Sequence, residues 1–184
     1  MVSIADINPL LPELIAWLHD FHTHPELTFD VHRTAALVAE HLSAMGVDEV
    51  VTRIGKTGVV GVIRGAATAS ERVIGLRADL DALPMQEETT LPHASKIEGR
   101  MHACDHDGHT TMLLGTARYL CDHRECDGTL ILIFQLAEEA ENVNTPMLTG
   151  PMCVTDTQGG RDQQHIFNFT ICHAIRLAAI LVRP

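Results

Sequence analysis

The stretch Met101-His102-Ala103-Cys104-Asp105-His106-Asp107-Gly108-His109 holds three His, one Cys and two Asp within eight positions. Thiolate and imidazole both suit zinc and similar divalent ions. Cys104 and His106 are two residues apart, so one turn can direct both side chains at a single point. His106 and His109 are three apart and share a face if both are helical. Asp107 falls near the start of that helix, where a carboxylate suits the positive end of the dipole and can serve as N-cap. The plainer reading of these residues is a polar helix start with an incidental Cys.

Glu138-Glu139 forms the second signal, directly after an apolar run. Adjacent carboxylates repel unless a cation or a proton lies between them. One of the two can hold metal while the other stays free as a base. Asp79 and Asp81 follow another short apolar run, where they can orient ligand side chains from behind or form a solvated turn.

The secondary structure around these groups alternates in type. Residues 10–22 and 31–45 carry apolar side chains at helical spacing, the second stretch closed by Gly46. Val50–Ile54 and Val59–Arg64 read as strands joined by Gly55-Lys56-Thr57-Gly58, and Val73–Arg77 as a third. Residues 107–121 form a further helix. Thr129–Gln135 is apolar on both alternations, as a central strand covered on both faces would be. The order predicts an α/β layer fold. Residues 141–164, with Pro146, Gly150, Pro151, Gly159 and Gly160, read as loop, and Ile166–Cys172 as one more strand ending at His173.

The composition narrows the function classes. The chain has 184 residues, 46% hydrophobic and 20% charged, which suits one well-buried core. A formal net charge of −11 argues against nucleic acid or an anionic membrane as partner. The 12 His direct attention to metal or acid–base chemistry. Five Cys without dense spacing do not read as a disulfide framework. The N-terminal residues lack a basic region and carry Asp6 and Glu13, unlike a signal peptide, and Ala174–Val182 is too short to span a bilayer. A cytoplasmic location is expected.

Five stretches together carry a resemblance. They are His22-Thr23-His24-Pro25-Glu26-Leu27, Gly55-Lys56-Thr57-Gly58-Val59-Val60-Gly61 and Leu76-Arg77-Ala78-Asp79-Leu80-Asp81-Ala82-Leu83-Pro84, then Met101–His109, then Ile133-Phe134-Gln135 with Ala137-Glu138-Glu139. In order and spacing the chain resembles the metal-dependent aminoacylase/carboxypeptidase family, in the branch of hippurate hydrolases and auxin-conjugate amidohydrolases. The resemblance implies a zinc-exopeptidase-like catalytic domain, a three-layer mixed sheet with helices on both faces, holding two divalent ions (Zn, Mn, Co or Ni). It implies Cys104, His106 and Glu139 as metal ligands and Glu138 as the general base that activates water. It also implies a further ligand at His173, with His165 as the rival. The expected substrate is a small N-acyl amino acid, hippurate or similar, cleaved at its amide bond. A closed structural zinc site would leave no free carboxylate base, so Glu138 argues against it.

The departures from the family pattern matter equally. Asp105 stands where the family has Gly, and Asp tolerates positive φ less well than Gly. Leu136 replaces a Pro. Family members are about twice as long. Residues 1–140 are expected to be the N-terminal part of the catalytic domain, and 141–184 a divergent loop plus final strand. The lid, through which the family dimerises, and the C-terminal half are expected to be absent. The chain alone is then expected to turn over poorly, and a catalytically silent relative that at most binds metal is the competing reading. Among the remaining residues, His19, His22 and His24 partly follow the family pattern. Cys121 and Cys126 read as packing thiols and Trp17 as a core anchor.

Overall fold

The structure, a computed structural model, describes residues 3–67, 69, 72–140 and 154–156. A short helix α1 (Ile4–Ile7) and a 3-10 turn (Asn8–Leu10) lead into α2 (Leu11–Thr23), followed by α3 (His32–Ala44). Strands β1 (Glu49–Ile54), β2 (Gly58–Arg64) and β3 (Val73–Asp79) precede α4 (His106–Asp122), then β4 (Thr129–Gln135) and β5 (Val154–Asp156). The strand order is β1-β2-β4-β3-β5. β3 and β4 are parallel, and the other pairs are antiparallel, so the sheet is mixed as expected.

Local sequence explains the boundaries. Pro12 in the first turn of α2 gives up an amide that has no helical partner there, and the helix stops before Pro25. α3 buries Thr34, Ala35, Val38 and Leu42, one helical stripe, and is followed past its C-cap by Gly46, whose φ of 76° is the left-handed conformation that ends a helix. The β1–β2 connection turns through Gly55 (φ 63°), as the Gly-Lys-Thr-Gly sequence predicts.

One face of the sheet forms the core. Val59, Gly61 and Ile63 of β2 pair with Phe134, Leu132 and Leu130 of β4, which pair in turn with Ala78, Leu76 and Ile74 of β3. All of these are buried, together with Val38 and Leu42 of α3 and Leu113, Leu114, Ala117 and Leu120 of α4. Each fully buried Leu or Phe contributes about 1.5–3 kcal/mol. Gly61 lets α3 approach closely, since a Cβ there would stand 3.2 Å from a Leu42 methyl.

The opposite face carries Val60, Val62, Ile131 and Ile133, all half-buried. β4 is therefore central, but among the described residues only its Leu130–Leu132–Phe134 face is closed by helices. Among the described residues no helix covers this face, and the expected strand Ile166–Cys172 lies outside them. Val154–Asp156, within a stretch read as loop, instead pairs with β3 at the sheet edge.

This topology positions the chemistry. β3, α4 and β4 form a parallel strand–helix–strand crossover. The carboxyl ends of both strands thus lie on one edge of the sheet, and the N-terminus of α4 returns to that edge, where open α/β sheets gather ligands.

Candidate metal centre

Three chain segments meet at this edge. Asp79 ends β3, His106 opens α4, and Glu138-Glu139 follow β4. Ligand atoms of Cys104, His106 and Glu139 all lie within 4.8 Å of one another. His106 Nε2 is 3.7 Å from Glu139 Oε1 and 3.8 Å from Glu138 Oε2. The sequence-derived residues Cys104, His106, Glu138 and Glu139 are therefore brought together. His173 and its rival His165 lie outside the described residues.

Asp81 organises the cluster. Its backbone carbonyl lies 2.7 Å from His106 Nδ1, so the ring donates from Nδ1 and leaves Nε2 facing the carboxylates. Its carboxylate accepts the amides of Glu138 at 3.1 Å and Glu139 at 3.0 Å. Asp79 and Asp81 are 1% and 0% exposed, which decides against a solvated turn. Asp79 meets His109 Nδ1 at 2.6 Å and Arg77 at 3.2 Å. His106 and His109 share a helix face, with ring centroids 5.6 Å apart, as their spacing predicts. Asp79, His106 and His109 form a second group of donors, in which the His109 ring already donates to Asp79 Oδ1 at 2.6 Å.

Two backbone positions are unusual. Asp105 has φ 59° and is the N-cap of α4, with no side-chain capping bond. The cap is thus Asp105 rather than Asp107. Asp107 lies in the first turn, where one oxygen accepts the Gly108 amide at 2.9 Å and the other meets His22 at 2.6 Å. Ala137, 1% exposed, has φ 57°, and its amide reaches the Thr28 carbonyl. That left-handed residue redirects the chain after β4 so that the next two amides face Asp81. Such backbone persists where its surroundings over-determine it.

The charge environment fits a bound cation. The Cys104 thiol donates to Glu139, and that bond, with partial burial and the Glu139 charge, pushes the thiol up to about 11. Burial opposes charge on His106, but Asp81 and Asp79 outweigh it and raise the imidazole to about 9. Burial and the Asp79 carboxylate push Glu138 above the usual carboxylate range. A divalent ion would replace the two protons and relieve the crowding among carboxylates. Thiolate, imidazole and carboxylate are a donor set suited to zinc and its neighbours.

Other singled-out residues fall away from the donors. His24 bonds the Asp20 carbonyl, and His19 stacks on His93 with centroids 3.9 Å apart. Cys121 and Cys126 are free, half-buried and packed on the core, as is Trp17. Glu87 and His102, which no motif in the sequence marks individually, are both buried. His102 is 2% exposed with neither ring nitrogen partnered, and burial lowers it to about 4.

A thiol–imidazole–carboxylate cluster at the carboxyl ends of parallel strands marks an α/β protein of the metallohydrolase class. The chain belongs to peptidase family M20/M25/M40, whose sequence model matches residues 75–175. It is 52% identical over 139 residues to a hippurate hydrolase of Campylobacter jejuni, covering 76% of this chain and 35% of that protein. It is 45% identical over 134 residues to an N-acyl-L-amino acid amidohydrolase of Geobacillus stearothermophilus, covering 72% and 35%. The crystal structure of the Bacillus subtilis YXEP protein, described as a dinuclear metal binding peptidase from the M20 family, superposes with a TM-score of 0.66 at 42% identity. That match covers 75% of this chain and 37% of the other. The chain thus spans little more than a third of the length of these relatives. Among the described residues, no helix is long and apolar enough to cross a membrane.

Proposed function

We propose that this chain carries the N-terminal part of the active site of a metal-dependent amidohydrolase, which cleaves the amide bond of N-acyl amino acids such as hippurate. Residues 1–140 are the part of the catalytic domain that supplies Cys104, His106 and Glu139 as metal donors and Glu138 as base. The observation carrying this reading is the convergence of Cys104, His106 and Glu139 within 4.8 Å, with Glu138 alongside. The substrate class comes from the names of the relatives, a hippurate hydrolase and an N-acyl-L-amino acid amidohydrolase.

One or two divalent ions (Zn, Mn, Co or Ni), held by Cys104, His106, Glu139 and His173, would supply Lewis-acid polarisation of a carbonyl and would lower the pKa of water. The chain's own groups do the rest. His106 presents Nε2 because Asp81 fixes Nδ1. Glu139 offers a carboxylate oxygen on the same side, and its backbone is held by Asp81. Glu138 is held by the same carboxylate and is not needed as a donor. It takes the proton from the attacking water and returns it to the leaving amine. The elevated affinity of Glu138 for protons in this environment suits that task. His173 is a further donor in this reading.

The test is glycine release from hippurate by the metal-loaded chain, followed over long incubations because turnover is expected to be slow. Cleavage that disappears in Glu138→Gln supports the proposal. Metal bound by the chain without any Glu138-dependent cleavage would favour a relative that holds metal and does no chemistry.

A further inference from the structure

His22 makes two contacts that the metal donors do not explain. Its Nδ1 lies 2.6 Å from Asp107 Oδ2 and its Nε2 lies 3.3 Å from Glu87 Oε1. Both partners are carboxylates, so the protonated ring donates from Nδ1 to Asp107 and from Nε2 to Glu87. The side chains are 15%, 4% and 1% exposed for His22, Asp107 and Glu87. Each carboxylate is also tied to backbone. Asp107 accepts the Gly108 amide at 2.9 Å, and Glu87 accepts the Ser95 amide at 2.6 Å and the Thr89 hydroxyl. One imidazole thus joins the end of α2, the first turn of α4 and the irregular segment after β3.

The place of this clamp is what gives it consequence. Asp105 and His106 lie immediately before Asp107 in the chain. Asp105 holds a left-handed backbone with no capping bond of its own. A non-Gly residue in that region costs about 1–2 kcal/mol, so the turn needs outside restraint. On one side the restraint is the Asp81 carbonyl on His106. On the other side it is His22 on Asp107. We propose that His22 is a positioning residue for the metal-binding turn, acting through Asp107 to hold Cys104 and His106 in register with Glu139. This rests on the reading of those three side chains as metal donors.

Cobalt(II) is the probe, because its visible spectrum reports ligand geometry and thiolate ligation directly. Affinity is measured by chelator competition on the full chain, alongside circular dichroism to confirm folding. His22→Phe should lower cobalt affinity about tenfold, the lower end of the range for partners behind a metal ligand, and should alter the cobalt spectrum. Glu87→Gln, which spares the contact with Asp107, should weaken binding less and keeps the test open if His22→Phe does not fold. His19→Ala, whose ring stacks on His93 outside the clamp, should change neither readout. In a double-mutant cycle, the losses from His22→Phe and Asp107→Asn should fall well short of additive, because each breaks the same link. Parent-like affinity and spectrum in both His22→Phe and Glu87→Gln, or strictly additive losses in the cycle, would overturn the proposal. Failure of the parent chain itself to bind cobalt would instead overturn the metal-donor reading beneath it.

Discussion

The Asp81 carboxylate receives the backbone amide of Glu139 at 3.0 Å, across 58 positions of sequence. The same carboxylate takes the Glu138 amide, and the Asp81 carbonyl takes His106. One fully buried residue therefore sets the tautomer of a proposed metal ligand and the backbone of the carboxylate pair facing it. Asp81→Asn would replace one acceptor oxygen with an amide group that only donates. It is expected to leave a buried N–H unsatisfied, costing about 1–3 kcal/mol. Metal affinity should fall about 10–100-fold. Urea unfolding and chelator competition check the two effects separately.

A second expectation concerns Asp105, the left-handed cap of α4. Asp105→Ala loses the tolerance that Asp has for φ of 59° and should destabilise the chain by about 1 kcal/mol. Asp105→Gly removes the steric cost and should be at least as stable as the parent, despite the greater freedom of an unfolded Gly. Thermal unfolding of the two variants compares them. Equal destabilisation by Ala and Gly would mean that the carboxylate, not the backbone, is what this position needs.

Protons should compete with metal. In the metal-free chain Cys104 holds its proton up to about 11 and His106 up to about 9. Both pKa values are raised, so at neutral pH both groups are protonated and each must release a proton on binding. Apparent affinity should therefore rise steeply with pH below about 9 and less steeply between there and about 11. Calorimetry in buffers of differing ionisation enthalpy reads the proton count. Cys104→Ser should remove one of the two protons and lower the metal content after dialysis. Unchanged metal content in that variant would take Cys104 out of the donor set.

The clamp residue carries a pH expectation of its own. Burial disfavours the charge on His22, but Asp107 and then Glu87 outweigh it and raise the imidazole above 6.5. The other rings facing it, His93 and His102, have centroids at 5.6 and 6.4 Å. A raised folded-state pKa means the contribution to stability is complete below pH 6.5 and lost as pH rises through the folded value. The stability difference between parent and His22→Phe, measured without metal, should therefore shrink as pH rises above neutrality. A difference that grows with pH would contradict the charged-ring reading.

Much of this arrangement was legible in the sequence because it is local or periodic. The stripe Ala35, Val38 and Leu42 and the apolar run Thr129–Gln135 stand within a residue or two of the elements they became. Glu138-Glu139 could be read as a strand-end pair, and Cys104 and His106 as neighbours across one turn. What could not be read is set by contacts between distant parts of the chain. His22 and Asp107 are 85 positions apart, and Glu87 lies in a segment with no period to announce its burial. The residue type of Asp107 suits a cap. The backbone conformation of Asp105, imposed by the site around it, put the cap two residues earlier. Likewise nothing about Ala137 in the sequence marks the left-handed turn that aims both glutamates at Asp81.

In this reading Glu138 is a base and Glu139 a metal donor, and metal content set beside cleavage separates the two roles. Metal content after dialysis and glycine release from hippurate are measured side by side for the parent chain, Glu138→Gln and Glu139→Gln. Gln keeps the shape of Glu but cannot take up the proton and is a poorer donor to a divalent ion. Glu138→Gln should keep its metal and lose about 10²–10⁴-fold in cleavage, the usual worth of a general base. Glu139→Gln should lose the metal itself. Metal lost from Glu138→Gln and kept by Glu139→Gln would reverse the assignment, and metal kept by both would contradict the account of this site.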